Sequence, residues 1–189
     1  MLELCIPVKK EAEQRMEIRL ANAADLDGVA AVYDAIHNAE EAGSVEIGWA
    51  RGVYPTRATA EAALARGDLF VLEEGGAILG TAVINQIQVD VYADAPWMHD
   101  VPADRVCVLH TLVIHPQAAG KGYGGAFIQF YEDYAAAHGC TELRIDTNAR
   151  NIAARAMYAG RGYREIGIVP TVFNGIPGVE LVLLEKYIG

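Results

Sequence analysis

The sequence predicts a single α/β domain, and three observations lead there. Apolar runs of strand length alternate with amphipathic stretches of helix length along the 189 residues. One continuous apolar run, residues 106–114, passes into a glycine-rich loop and then into an amphipathic segment at 126–138. No internal repeat, low-complexity tract or linker divides the chain, which is long enough for one full core and too short for two ordinary domains.

Composition narrows the class. With 52% hydrophobic and 21% charged residues the chain is globular in character and unlike a disordered one. A formal net charge of −10 leaves no basic footprint for nucleic acid. The longest apolar runs are strand-sized, so no membrane span is expected. The apolar patch at 2–8 has neither a basic region before it nor a small-residue cleavage site after it; no signal peptide is expected, and the cytoplasm is the expected compartment. Cys5, Cys107 and Cys140 are scattered and show no CxxC or Cys/His ligand spacing. Cys107 and Cys140, in apolar surroundings, read as buried thiols, and neither a zinc site nor a disulfide framework is expected.

Taken in order, residues 1–15 read as an N-terminal extension to a domain spanning 16–189, because Met16 begins a cleaner pattern. Residues 16–20 alternate as a first strand. Asn22 or Asp25 can cap a helix at 26–38, with Leu26, Val29, Ala30, Val32, Tyr33 and Ile36 on its apolar side. Glycines and Pro55 make 40–57 a loop, and alanine-rich 56–66 is a helix ended by Gly67. Strands at 68–73 and 77–87 flank the hairpin signal Glu74-Gly75-Gly76. Residues 88–104 are irregular. Strands at 106–114 and 142–147, a short helix at 151–159, a strand at 163–169, a Pro/Gly loop and a last strand at 179–184 complete the chain.

The chemistry concentrates after residue 114. Glycines at 120, 122, 124 and 125 sit between a strand and a helix, where orphan N–H groups and the helix dipole favour an anion. A P-loop would need Ser or Thr after Lys121, which Gly122 occupies. Gly120, Gly122 and Gly125 meet the GxGxxG spacing, with Asp146 about twenty residues on, but taken alone that is a weak signal. One strand later comes Asn151-Ile-Ala-Ala154-Arg-Ala-Met157-Tyr158-Ala-Gly-Arg-Gly162-Tyr163.

Together these segments resemble the Gcn5-related N-acetyltransferase (GNAT) superfamily, whose signature runs strand, (Q/R)xxGxG, helix, strand, NxxAxxxYxxxGF. The resemblance covers about 106–168. It departs at one position: counting from Pro116, the Gln/Arg falls on Ala119, with Gly122 and Gly124 as the glycines. Gln117 completes the motif only in a register shifted by two, so backbone amides must carry the anchoring.

The resemblance implies a mixed, mostly antiparallel, twisted sheet of six to seven strands, flanked by helices on both faces, with a splayed parallel pair at its centre. It implies an acetyl-CoA-dependent N-acetyltransferase acting by direct attack of a primary amine, small-molecule or peptide. The rival is a non-catalytic acyl-CoA-binding sensor or interaction domain, which retention of Asn151 and Tyr158 disfavours. The amides of Gly120, Lys121, Gly122, Tyr123, Gly124 and Gly125 would wrap the pyrophosphate, while Leu112, Val113 and Ile114 would track the pantetheine arm together with Asn151.

Tyr158, seven residues on, would face the departing sulfur. A phenol of pKa about 10 donating fully to a thiolate of about 8.5 is uphill by about 2 kcal/mol, so a stabilising hydrogen bond is expected as much as proton transfer. Candidate bases are Asp146, at the end of its strand, and His110, in the strand beside the splay; the same residues can equally cap a turn or sit satisfied in the core. Asp94, His99 and Asp100 are candidate acceptor contacts. Acceptor-gripping segments are expected at 40–57, 88–104 and 171–178. Trp49, Tyr54, Tyr92, Trp97 and Phe173 form an aromatic set suited to an amine pocket or to a homodimer interface.

Overall fold

The computed structural model describes residues 16–189; the proposed extension and Cys5 lie outside the described residues. Strands β1 (Glu17–Leu20), β2 (Leu69–Glu74), β3 (Ala77–Asn85), β4 (Val106–Ile114), β5 (Glu142–Asn148), β6 (Arg164–Phe173) and β7 (Ile176–Tyr187) form one sheet in the order β1-β2-β3-β4-β5-β7-β6. Every pairing is antiparallel except β4 with β5, at the centre. Helices α1 (Leu26–Glu41), α2 (Arg57–Arg66), α3 (Tyr123–Ala137) and α4 (Ile152–Ala159) cover both faces. The expected fold class is the one observed.

Local chemistry sets the boundaries. Asn22 and Asp25 make a reciprocal capping box around a 3₁₀ turn that runs into α1. Val29, Val32, Tyr33 and Ile36 then recur at helical spacing and are buried. A Cβ on Gly28 would lie 2.7 Å from the Ile78 side chain, so glycine lets α1 settle closely on β3. Thr56 caps α2, and Gly67 ends it at φ 79°.

One face carries α3 and α4, with Phe127, Ile128 and Tyr131 packed on Leu72, Leu109, Leu143 and Ile145. On the other face α1 and α2 cover the β1–β4 half through Val29, Val32, Ala60 and Ala63. The β5–β7 half is covered by the irregular segment 86–105, whose Tyr92 packs on Val106, Val108, Leu181 and Leu183.

Two expectations are corrected. Helix α3 starts at Tyr123, three residues before the predicted 126, so Gly124 and Gly125 belong to its first turn. The predicted Pro/Gly loop at 171–178 is instead the end of a long β6–β7 hairpin, in which Phe173 pairs with Ile176 across a tight turn at Asn174 and Gly175, both at positive φ. Pro170 is tolerated because β6 is an edge strand, and Pro177 because β5 pairs with β7 only from Leu181 onward.

Candidate active site

β4 and β5 part company halfway along. Their parallel register runs from Val106–Glu142 to Leu109–Ile145 and stops, although β4 continues to Ile114 and β5 to Asn148. A bulge in β4 accompanies the parting: Thr81 opposes Val113 and Val83 opposes His110, so two steps on β3 span three on β4. Thr111, at φ 50°, sits in that bulge, and its hydroxyl is hydrogen-bonded to Tyr54. Such an extra residue bends its strand and leaves backbone groups unpaired.

The gap opens into a cleft of about 880 Å³. Leu112 and Ile114 line it, whereas Val113 turns into the core beneath α1. Gly120 and Gly122, at φ 78° and 84°, form the loop; an added Cβ would meet nothing there, so conformation rather than space requires glycine. Gly122 caps α3 without a side chain, no acidic residue lies in the first turn, and the first helical bond is Ala126 N to Gly122 O. The N–H groups of Tyr123, Gly124 and Gly125 therefore lack helical acceptors.

Gly124 is bare for another reason. A Cβ on it would lie 2.9 Å from Met157 Sδ, so α4 packs closely against this turn, whereas a Cβ on Gly125 would meet the free end of Arg161, beyond α4, at 2.7 Å. Lys121 does not line the cleft; its ammonium lies 5.8 Å from the Tyr123 ring, whose hydroxyl donates to Glu74 at 2.6 Å.

Asn151 and Tyr158 both line the cleft, but not as two positions on one helix. α4 begins at Ile152, and Asn151 is its cap, accepting from Ala154 N at 3.1 Å. Tyr158 is 5% exposed, its ring packed edge-on against Tyr163. Burial and then the Asp146 carboxylate push its phenol well above the usual value, and no hydrogen bond offsets them.

Asp146 sits at the splay and lines the cleft. Tyr92 donates to its Oδ2 at 2.8 Å. Burial raises the carboxyl to about 6, against a lowering contribution from Tyr92. Asp146 does not cap the following turn; Asn148 does, accepting from Arg150 N at 3.0 Å. His110 lines the cleft, yet its Nε2 is held by Asn85 Oδ1 at 3.1 Å and Ile87 O at 3.0 Å, and burial lowers it to about 4. It is a neutral, poorly basic imidazole at neutral pH.

The aromatic set divides. Trp49, Tyr54 and Phe173 line the cleft. Tyr92 and Trp97 pack against one another beside it, Trp97 also stacking under the Arg144 guanidinium at 3.9 Å. Asp94, His99 and Asp100 do not line the cleft. Sequence reasoning missed Glu40, whose carboxylate binds Ile47 N and Gly48 N and so shapes the 43–49 wall, and missed Arg150 at the rim. Neither carries a motif; only the fold brings them here.

A splayed parallel pair beside a glycine-capped helix is the arrangement that the resemblance to acetyltransferases implies. Residues 31–163 match the acetyltransferase (GNAT) family, and the chain belongs to it. It is 29% identical over 97 residues to the uncharacterized N-acetyltransferase YhfO of Bacillus subtilis; the match spans 51% of this chain and 58% of that relative. An acetyltransferase of the GNAT family from Streptococcus agalactiae superposes with a TM-score of 0.74 at 25% identity, covering 91% of this chain and 95% of its own. The fold is shared with yncA of Salmonella typhimurium, solved with its cofactor acetyl-CoA, at a TM-score of 0.63 and 20% identity, covering 92% and 94% of the two chains.

Proposed function

We propose that the protein is an acetyl-CoA-dependent N-acetyltransferase that transfers the acetyl group to a primary amine by direct attack. The observation that carries this reading is the placement of Asp146 and Tyr158 in one cleft, at the point where β4 leaves β5. The residues present fit the donor: an uncapped helix end with unpaired amides for the pyrophosphate, and an unpaired β4 edge for the amide-bearing arm. Acetyl-CoA would supply the acetyl group and the thiolate leaving group.

The chain's own residues divide the remaining work. The amides from Gly120 to Gly125 hold the pyrophosphate, and the 112–114 edge with Asn151 aligns the arm. Asp146 takes a proton from the attacking nitrogen. Freeing an alkylamine of pKa about 10.4 at pH 7 costs nearly 5 kcal/mol, and passing its proton to a carboxylate of pKa about 6 costs about 6 kcal/mol. Asp146 therefore lowers no equilibrium cost and serves as the local acceptor once C–N bond formation acidifies the nitrogen proton. With its phenol pushed up rather than down, Tyr158 acts as a hydrogen-bond donor to the departing sulfur rather than as a net acid. The acceptor end, between Trp49, Tyr54 and Phe173, suits an amine with apolar or aromatic substance beside its nitrogen.

The deciding assay offers acetyl-CoA with polyamines, amino acids, aminoglycosides and peptide N-termini and detects released thiol. Turnover with an amine that depends on Asp146 is the expected result. Tight coenzyme binding without thiol release across the panel would instead make this a binding module.

A further inference from the structure

A second cluster lies at the other end of β5, outside the cleft. Among the described residues, His99, Glu142 and Glu185 place one nitrogen and two carboxylate oxygens within 4.8 Å of one another. Glu142 is fully buried, and neither of its oxygens has a hydrogen-bond partner. Nδ1 of His99 is also buried and without a hydrogen bond, 3.5 Å from Glu142 Oε2. Glu185, 3% exposed, accepts only the Met98 N–H, at 3.1 and 3.3 Å from its two oxygens.

The arrangement is built by the β5–β7 register. Arg144 opposes Glu185 and Glu142 opposes Tyr187, whose ring stacks with His99 at 4.4 Å. Two guanidinium groups face this cluster: Arg144 lies over Trp97 with Nη1 bonded to Gln88, and Arg164 opposes Glu185 from β6 with Nη1 against Met98. Neither bonds Glu142, and a buried carboxylate with no donor is costly.

We propose that His99, Glu142 and Glu185 form a site for a divalent transition cation of the zinc type. Such an ion engages Glu142 and His99 Nδ1, which have no hydrogen-bond partner, at once. One imidazole with two carboxylates suits zinc, with water in the fourth position, whereas magnesium favours an all-oxygen octahedron. Zinc bonds of about 2.0–2.2 Å need the donors closer than 4.8 Å, and His99, on the irregular segment with 41% of its side chain exposed, can make that movement. The ion would pin segment 86–105 to β5 and β7. That segment carries Tyr92, which holds Asp146. Residues 99, 142 and 185 have no ligand spacing in the sequence, so the expectation of no metal could not have weighed them.

The test uses full-length protein stripped with a chelator and titrated with Co²⁺ and Zn²⁺. Saturable one-to-one binding is expected, with the d–d absorption of tetrahedral Co²⁺ and a thermal midpoint that rises with added Zn²⁺. His99→Ala and Glu142→Gln should each weaken binding by at least about tenfold, since loss of even an outer partner costs that much. Glu142 is wholly buried, so His99→Ala decides if the other variant fails to fold. No saturable binding, undiminished binding in His99→Ala, equal affinity for Mg²⁺, or a thiolate-to-Co²⁺ charge-transfer band would overturn the site. So would a metal-free carboxyl titrating near neutrality and unmoved by Zn²⁺, which would assign the cluster to a proton shared by Glu142 and Glu185.

Discussion

The Tyr92 hydroxyl, 54 residues distant in sequence, donates a 2.8 Å hydrogen bond to Oδ2 of Asp146. Burial raises this carboxyl and the hydrogen bond pulls it part of the way back, leaving it at about 6. If Asp146 is the base, kcat/KM should rise with pH through an apparent pKa near 6 and then level. Tyr92→Phe removes the lowering contribution, so that limb should move to higher pH. A pH–rate profile unmoved by Tyr92→Phe would detach Asp146 from the chemistry.

Asp146→Asn should lower kcat/KM by about 10²–10⁴-fold, the usual worth of a general base. The same change should stabilise the fold. Asp146 titrates at about 6 when folded against an ordinary 3.8, so folding favours its protonated form. Its contribution to stability is fully present below about pH 4 and is lost as pH rises through about 6. The neutral Asn does not lose it. Denaturant melts at pH 8 should therefore show the variant more stable by about 3 kcal/mol, with the gap closing near pH 4.

Tyr158→Phe removes a donor to a developing thiolate. A hydrogen bond to a charged group is worth about 1.5–3 kcal/mol, so kcat should fall about 10–100-fold. Because the ring stays in place against Tyr163, coenzyme affinity should change much less. Equal losses in kcat and in coenzyme binding would reduce Tyr158 to a packing residue.

The glycines after β4 should separate in a stability scan. Gly122→Ala places a Cβ at φ 84° and should cost about 1–2 kcal/mol, though nothing occupies the space. Gly125 lies in the first turn of α3, where Ala is favoured over Gly by about 1 kcal/mol, and its only close neighbour is the free end of Arg161. Gly125→Ala should be neutral or mildly stabilising. Chemical denaturation of the two variants side by side checks this order.

By itself the sequence determined the elements and the family. Helical spacing marked α1, alanine content and the stop at Gly67 marked α2, and the strand–glycine loop–helix run with Asn151 and Tyr158 carried the resemblance. These are local properties, fixed by periodicity and by conformations that few residues adopt. It extended the apparent loop past Gly125 and broke the last hairpin at its prolines, because it could not show that α4 packs on the first turn of α3 or that β6 is an edge. Only the tertiary structure decided that the splay begins after Leu109–Ile145, the separation of Tyr92 and Trp97 from the cleft wall, and the gathering of His99 with Glu142 and Glu185. Each of these depends on strand register or on where an irregular segment crosses the sheet, and residues far apart in the chain carry no local trace of that.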